Sequence, residues 1–387
     1  MLTKRMKKLD KSKIAVEAKS EAEVEKLDLT PALIIHGASS TKIGFGGEKY
    51  PRFVFPEQSI DLNVRIRRFP IEGSQTTNEE LIKAYWLASV KKLKIDPNVN
   101  PILISLPTAV LTNSPFRDLV LEYFHKELLA EKIAVISDPF LSLVAYLPMM
   151  RKLTAIIVDI GFSQIRIVPI YQAAILEEQI AQISFGGLEL TLQLGSWLQK
   201  QGYEGPIDSM FIRDIKENHC FVRSYNQNMK ESDDRPITYY IDKYTFNLGS
   251  ERWKLPELFF YKKFFSEKVA LCPRSDCEGN KYNMKEINLS QAIANVIKSL
   301  NIRLWKEFSN NICLTGGGAK FLGLKKRLED ELAVLLPECK NNIRILSTAQ
   351  TDLMPYVGAS KLTMLDSIDD YWQTNEDFGI GEYEIFL

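Results

Sequence analysis

The chain reads as an α/β protein of the doubly wound type, and three observations predict this. Apolar strand-like runs alternate with amphipathic helix-like runs along most of the 387 residues. Three glycine-bearing turns, "HGASS", "DIGFS" and "TGGGAKF", each follow an apolar run. Two hairpin patterns also resemble each other at long separation. With Gly37 set on Gly161, Leu33 and Ile34 fall on Ile157 and Val158, Ser39 on Ser163, and Lys42 on Arg166. Such a recurrence predicts a duplicated architecture.

Residues 1–30 are charged and hold few large apolar side chains, so they read as a flexible tail. A weak helical pattern from Ile14 to Leu27 leaves open a segment that orders on a partner. The opening "MLTKRMKKLDKSK" is basic without an apolar stretch, which does not fit a signal peptide. "PALIIHGASSTKIGFGGEKYPRFVFP" reads as strand, tight turn and strand, and the polar "EQSIDLNVRIRR" leads from it to "FPIEG". Thr77 or Asn78 ahead of Glu79 and Glu80 starts a helix by a capping box in "TNEELIKAYWLASVKKL". "PILISLPT" and "KIAVIS" read as buried strands. "SPFRDLVLEYFHKELL" and "DPFLSLVAYL" read as helices with Pro115 and Pro139 in their first turns. The apolar run around the second of these is broken by Asp138, Pro139 and Pro148 and is too short to span a bilayer.

The second half begins with "LTAIIVDIGFSQIRIVPIY", again strand, turn and strand. "MFIRDIKENHCFV" predicts a helix, and "TYYIDKYTFNLGSERWKLPELFF" a hairpin turning at Gly249. "LSQAIANVIKSLNIRLWKEF" predicts one amphipathic helix. Strand "NICLTGGG", helix "FLGLKKRLEDELAVLL", strand "NIRILS" and helix "YVGASKLTMLDSI" complete the pattern.

Composition bounds the function. The chain is 45% hydrophobic and 25% charged, as ordinary globular proteins are. Lys+Arg and Asp+Glu both number 49, which argues against a dedicated nucleic-acid binder. Five cysteines suit free thiols in a reducing compartment, cytosolic or nuclear. Cys272 and Cys277 stand close together, but no second cluster completes a zinc site. His36, His125 and His219 form no triad or metal pattern.

The glycine turns carry the chemistry. Glycine lets backbone N–H groups approach phosphate oxygens closely. "TGGG" stands where a strand meets a helix, and a helix dipole there favours an anion. Asp159, ending "AIIVD", could hold a Mg²⁺-bound water or cap a turn. Lys42 could meet a phosphate or lie solvated on a strand edge. Lys216 and Glu217 could reach a base or ribose or be exposed helical charges. Phe321 could stack on an adenine or contact the core.

Several stretches resemble actin and the actin-related proteins. "GFGGEKYPRFVFP" is similar to the actin segment after the first phosphate loop, and "VDIGFSQIRIVPIY" to its second loop. "FIRDIKENHCFV", "NLGSERWKLPELFF" and "NICLTGGGAKFLGLKKRL" resemble its nucleotide-domain helix, hairpin and adenosine turn. The match runs in order from about Ala32 to the C-terminus. The resemblance implies an actin-like two-lobed α/β fold of the class shared with Hsp70 and the sugar kinases. Its duplicated ribonuclease-H-like domains would flank a nucleotide cleft. One lobe would comprise residues 31–152 and 353–387, the other 153–352. Gly37, Lys42, Asp159 and Gly161 would lie on the phosphate side, with Asp159 meeting metal through water. Lys216, Glu217, Gly316, Gly317, Gly318 and Phe321 would lie on the nucleoside side.

Departures from the family pattern shape the expected function. Actin's acid in the first loop falls on Ile35, or on His36 with a shift of one. Its loop serine falls on Ala38, its second-loop acid on Phe162, its water-orienting Gln on Asp138, and a late Lys on Asp352. Losing one well-placed stabilising group costs about 10²–10³ in rate, so slow or absent ATPase activity is expected, with no catalytic residue. ATP or ADP with Mg²⁺ would be structural rather than turned over. Between "FVFP" and "FPIEG" the family's pointed-end insert is reduced to about a dozen residues. With the altered loops and the closing "DDYWQTNEDFGIGEYEIF", the chain most resembles the divergent actin-related type found at the pointed end of dynactin, and that resemblance implies a pointed-end role. Its partners would be actin-like filament subunits and the pointed-end complex, with no direct nucleic-acid or membrane contact. The alternative is a nuclear subunit of a chromatin-remodelling complex. The 265–285 stretch reads as an insertion, either a partner-binding loop or disordered.

Overall fold

The computed structural model describes residues 30–56, 59–61, 66–68, 71–72, 75–76, 79–106, 114–207, 209–225, 236–241, 244–261 and 288–374. The expected N-terminal tail, the 265–285 stretch with Cys272 and Cys277, and residues 375–387 lie outside the described residues.

Two six-stranded sheets organise the molecule. In the first, Ala32–His36 pairs antiparallel with Ser40–Phe45 and parallel with Ile102–Leu106. Lys132–Ser137 extends the parallel part, and Gln373–Thr374 and Phe53–Pro56 form the two edges. In the second sheet, Ala155–Ile160 pairs antiparallel with Ile165–Tyr171 and parallel with Ile312–Thr315. Ile345–Leu346 follows on that side, while Ala174–Ile175 and Ala181–Ile183 both pair along the other edge of Ile165–Tyr171. The central strands are buried on both faces, so they read as unbroken apolar runs rather than alternating ones.

The duplication holds at the level of single residues. Ile35 pairs with Lys42 across the first hairpin, and Asp159 with Arg166 across the second. Gly37 N–H donates to Ser40 O at 3.1 Å, and Gly161 N–H to Gln164 O at 3.0 Å. The paired residues in the two hairpins stand at equivalent positions when Gly37 is set on Gly161.

Two helices join the sheets. Pro139 opens Asp138–Met150, which Met354–Leu362 crosses. Leu141 and Val144 pack with Leu33 and Ile35 of the first sheet. Leu143 and Tyr146, on the same helix, pack with Ile157 and Val168 of the second. Full burial of each large apolar side chain contributes about 1.5–3 kcal/mol, so this one helix ties both sheets into a common core. Tyr146 OH donates to Leu314 O at 2.6 Å and satisfies the polar tip that burial would strand.

Four local readings change. The hairpin at 237–248 pairs Ile241 with Tyr244, so the chain reverses between them and Gly249 lies beyond the second strand. The single helix expected after Leu289 ends at Ser299. There Asn301 accepts from Arg303 N–H at 3.0 Å and caps a separate 3₁₀ turn before Trp305–Ser309, because Asn favours an N-cap over a helix interior. The glycines of "TGGG" open a 3₁₀ turn, Gly317–Lys320, and the α-helix starts only at Leu324. In the polar stretch after Pro56, two small hairpins form: Ser59–Asp61 with Ile66–Arg68, and Ile71–Glu72 with Gln75–Thr76.

Candidate functional site

Ten residues expected at a nucleotide site line a single cleft. Gly37 and Lys42 come from the first hairpin, and Asp159 and Gly161 from the second. The helix Met210–His219 adds Lys216 and Glu217. The turn after Ile312–Thr315 adds Gly316, Gly317, Gly318 and Phe321. The cleft therefore opens where both hairpin turns and the C-terminal end of a parallel strand meet, the usual place for ligands in such sheets.

The backbone at the glycines is tight. Gly316 has φ +85°, and a Cβ there would overlap the Ile160 carbonyl and Asp159 Oδ1. At Gly318 a Cβ would meet the Ile160 side chain. Gly316 N–H donates to Thr351 O at 3.1 Å, and Thr351 Oγ1 donates back to Gly316 O at 2.8 Å. The turn is thus held before any ligand arrives.

Lys216 is buried. Its Nζ donates to Gly187 O and Thr191 Oγ1, both at 2.9 Å. Burial lowers its pKa to about 8. Glu217 also lines the cleft, where its exposed side chain pairs with Arg213 at 2.8 Å. Phe321 lines the cleft and also packs edge-on against Phe259, centroids 5.9 Å apart, so its ring makes the core contact while facing the cleft. Phe162, standing for an acid of the family pattern, lies under Arg213, 5.6 Å from guanidinium carbon to ring centroid.

The phosphate side holds a triad that the sequence did not announce. Arg166 Nη2 donates to Asp138 Oδ2 at 2.9 Å and to Asp159 Oδ2, and its Nε also reaches Asp159 Oδ2 at 3.1 Å. Asp138 Oδ1 accepts from Ser105 Oγ at 3.4 Å. Arg166 and Asp138 are both buried. Burial pushes the Asp138 carboxyl up while Arg166 pulls it down, and the two aspartates hold the Arg166 guanidinium firmly protonated. Arg166 Nη1 is buried with no hydrogen-bond partner. Sequence comparison had marked Arg166 only as the counterpart of Lys42; the cross-strand position opposite Asp159 was the signal that could have found the pair.

Ile35 is the true counterpart of Asp159 in the first hairpin, by register, and it is buried in the core. The ring of His36, the other candidate for the missing acid, is taken up by the core. Trp86 Nε1–H donates to its Nε2 at 2.7 Å, and its Nδ1 lies 2.8 Å from Thr41 Oγ1. Asp352, standing for a family lysine, pairs with Lys320 at 2.6 Å.

The donor set suits a nucleotide but not a resident divalent cation. Both hairpin turns, Lys42 and the glycine turn face one space. Yet each of the four carboxylates lining it is already ion-paired: Asp138 and Asp159 with Arg166, Glu217 with Arg213, Asp352 with Lys320. Asp159, expected to meet metal through water, pairs with Arg166, which the strand pairing puts directly opposite it.

A family model described as actin matches residues 27–379 of the chain. Centractin of Schizosaccharomyces pombe is 24% identical, over 94% of this chain and 98% of that protein.

Proposed function

Because the chain belongs to the actin family, we propose that it is a non-motor actin-related protein that caps the pointed end of dynactin's short actin-like filament. In this role it joins the filament to the pointed-end complex and supports dynein-driven transport in the cytoplasm. The observation that carries the reading is the stretch between the edge strand Phe53–Pro56 and the helix Glu79–Leu93. Only residues 57–78 connect them, and the described part consists of two small hairpins. The family resemblance implies a much larger pointed-end insert at this place. A head-to-tail filament needs two complementary surfaces on every subunit. A subunit that keeps one and lacks the other joins an end and stops growth.

The cleft fits a passive role. Hydrolysis of a phosphoanhydride needs a positioned water and compensated charge. Asp138, in the place of the water-orienting group, has Oδ2 on Arg166 and Oδ1 on Ser105, and Asp159 is bound to the same guanidinium. Both carboxylates are already engaged by that guanidinium. The protein is therefore read as a seat for ATP or ADP without appreciable turnover.

The test is affinity purification of the tagged full chain from its own cells, followed by identification of its partners. Recovery of dynactin subunits supports the reading, as does arrest of pointed-end growth of the actin-like filament by purified protein. Recovery of chromatin-remodelling subunits from a nuclear pool, with no dynactin, overturns it.

A further inference from the structure

The cleft carries a built-in replacement for a divalent cation. We propose that it binds a nucleoside di- or triphosphate without one, with Arg166 standing in for the metal. The proposal rests on the nucleotide-seat part of the reading above and names how that seat manages charge.

A Mg²⁺ at a phosphate site is held by one or two carboxylates together with phosphate oxygens and waters. Two changes remove that arrangement here. The first hairpin offers Ile35 at the position where the second offers Asp159. The second hairpin's Asp159 is closed by Arg166, which also closes Asp138. All three side chains line the cleft.

Charge follows the same logic. Two bare carboxylates beside a polyphosphate would repel it and would call in a cation. With Arg166 between them and Lys42 on the first hairpin, the phosphate side is neutral by formal charge. On the other side, Arg213, Lys216 and Lys320 outnumber Glu217 and Asp352. The lining as a whole is therefore positive before any metal is added. The guanidinium is held in place from both sides and is buried, so its charge is fixed rather than borrowed from solution. Arginine suits this position because it remains charged when buried and forks between two carboxylates.

The test is ADP binding to the purified full chain, by calorimetry and by thermal shift, in Mg²⁺ and in EDTA. Equal binding in the two, within about threefold, is expected. A requirement for Mg²⁺ overturns the proposal and leaves the nucleotide seat intact. Absence of ADP binding in both overturns the proposal and the seat together, while pointed-end capping stands or falls on its own assay. Arg166→Gln supplies a second arm. Loss of one charge-assisted hydrogen bond is worth about tenfold or more, so this variant is expected to lose at least that much ADP affinity in EDTA and to regain it with Mg²⁺. Unchanged binding of Arg166→Gln in EDTA counts against the role of Arg166. Should Arg166→Gln not fold, Arg166→Lys keeps the charge and is expected to bind ADP in EDTA; failure to do so in a folded protein overturns the proposal.

Discussion

Gly358 rests against the carbonyl of Leu141 so closely that a Cβ at 358 would overlap it. This contact sets the crossing of the two helices that tie the sheets together. Gly358→Ala is expected to destabilise the protein by about 1–3 kcal/mol, the cost of overpacking a tight contact. Gly37→Ala is the control. The nearest atom to a Cβ there is Ser40 O at 3.4 Å, and the change should stay within about 0.5 kcal/mol. Urea denaturation of both variants decides it; equal midpoints would remove the crossing as a point of constraint.

The Arg166 triad predicts a larger loss. Arg166→Met leaves the buried Asp138 and the half-buried Asp159 without their cation, and breaking a buried pair in this way costs about 3–5 kcal/mol. The triple variant with Asp138→Asn and Asp159→Asn should recover part of that, since no charge is then stranded. If the triple variant is no more stable than the single one, the aspartates are not what makes the loss large.

Lys216 predicts a pH dependence. Its folded pKa, about 8, lies below the ordinary lysine value because burial disfavours the charged form. Between the folded and unfolded values the unfolded chain binds more protons, so stability contributed at this site rises with pH. The penalty is fully present below about pH 8 and is relieved progressively up to the ordinary value of 10.5. The difference in urea midpoint between wild type and Lys216→Met should therefore move in favour of wild type from pH 7 to pH 9.5. A flat difference would mean that Lys216 titrates normally.

Gly316 predicts a defect in the site as well as in the fold. At φ +85°, with the Ile160 carbonyl and Asp159 Oδ1 against the missing Cβ, alanine cannot keep this turn. Gly316→Ala should lower the melting temperature and abolish the thermal shift produced by ADP. Retention of the full shift would show that the turn does not form part of the seat.

ATP turnover should be slower than that of actin assayed alongside by about 10² or more, given the groups replaced in both hairpins. Phosphate release measured from a monodisperse sample is the check, and an actin-like rate would refute the passive reading.

How much was legible in the sequence differs by element. The repeated hairpins were legible as matched positions, because a duplicated pattern survives in residue spacing, whereas the register of their strands came from the fold. The cleft's glycines, with Lys42, Lys216 and Phe321, were legible through motifs whose geometry is local. The hairpin turn between Ile241 and Tyr244 was misplaced to Gly249, because glycine is a strong turn signal but here follows the strand rather than joining two. The break after Ser299 was hidden because apolar spacing continues through it, and a single Asn side chain makes the cap.

By itself, the sequence determined the α/β class, the duplication and the loss of an acid at Ile35, since these live in periodicity and residue type. Only the tertiary structure decided that Asp138, Asp159 and Arg166 come together in the cleft. Asp138 begins a helix and Arg166 lies in a strand, and no local pattern links them. They meet because that helix packs between the two sheets, bringing its first residue over the second hairpin. An ion pair between distant segments depends on this packing, and packing is a property of the whole fold.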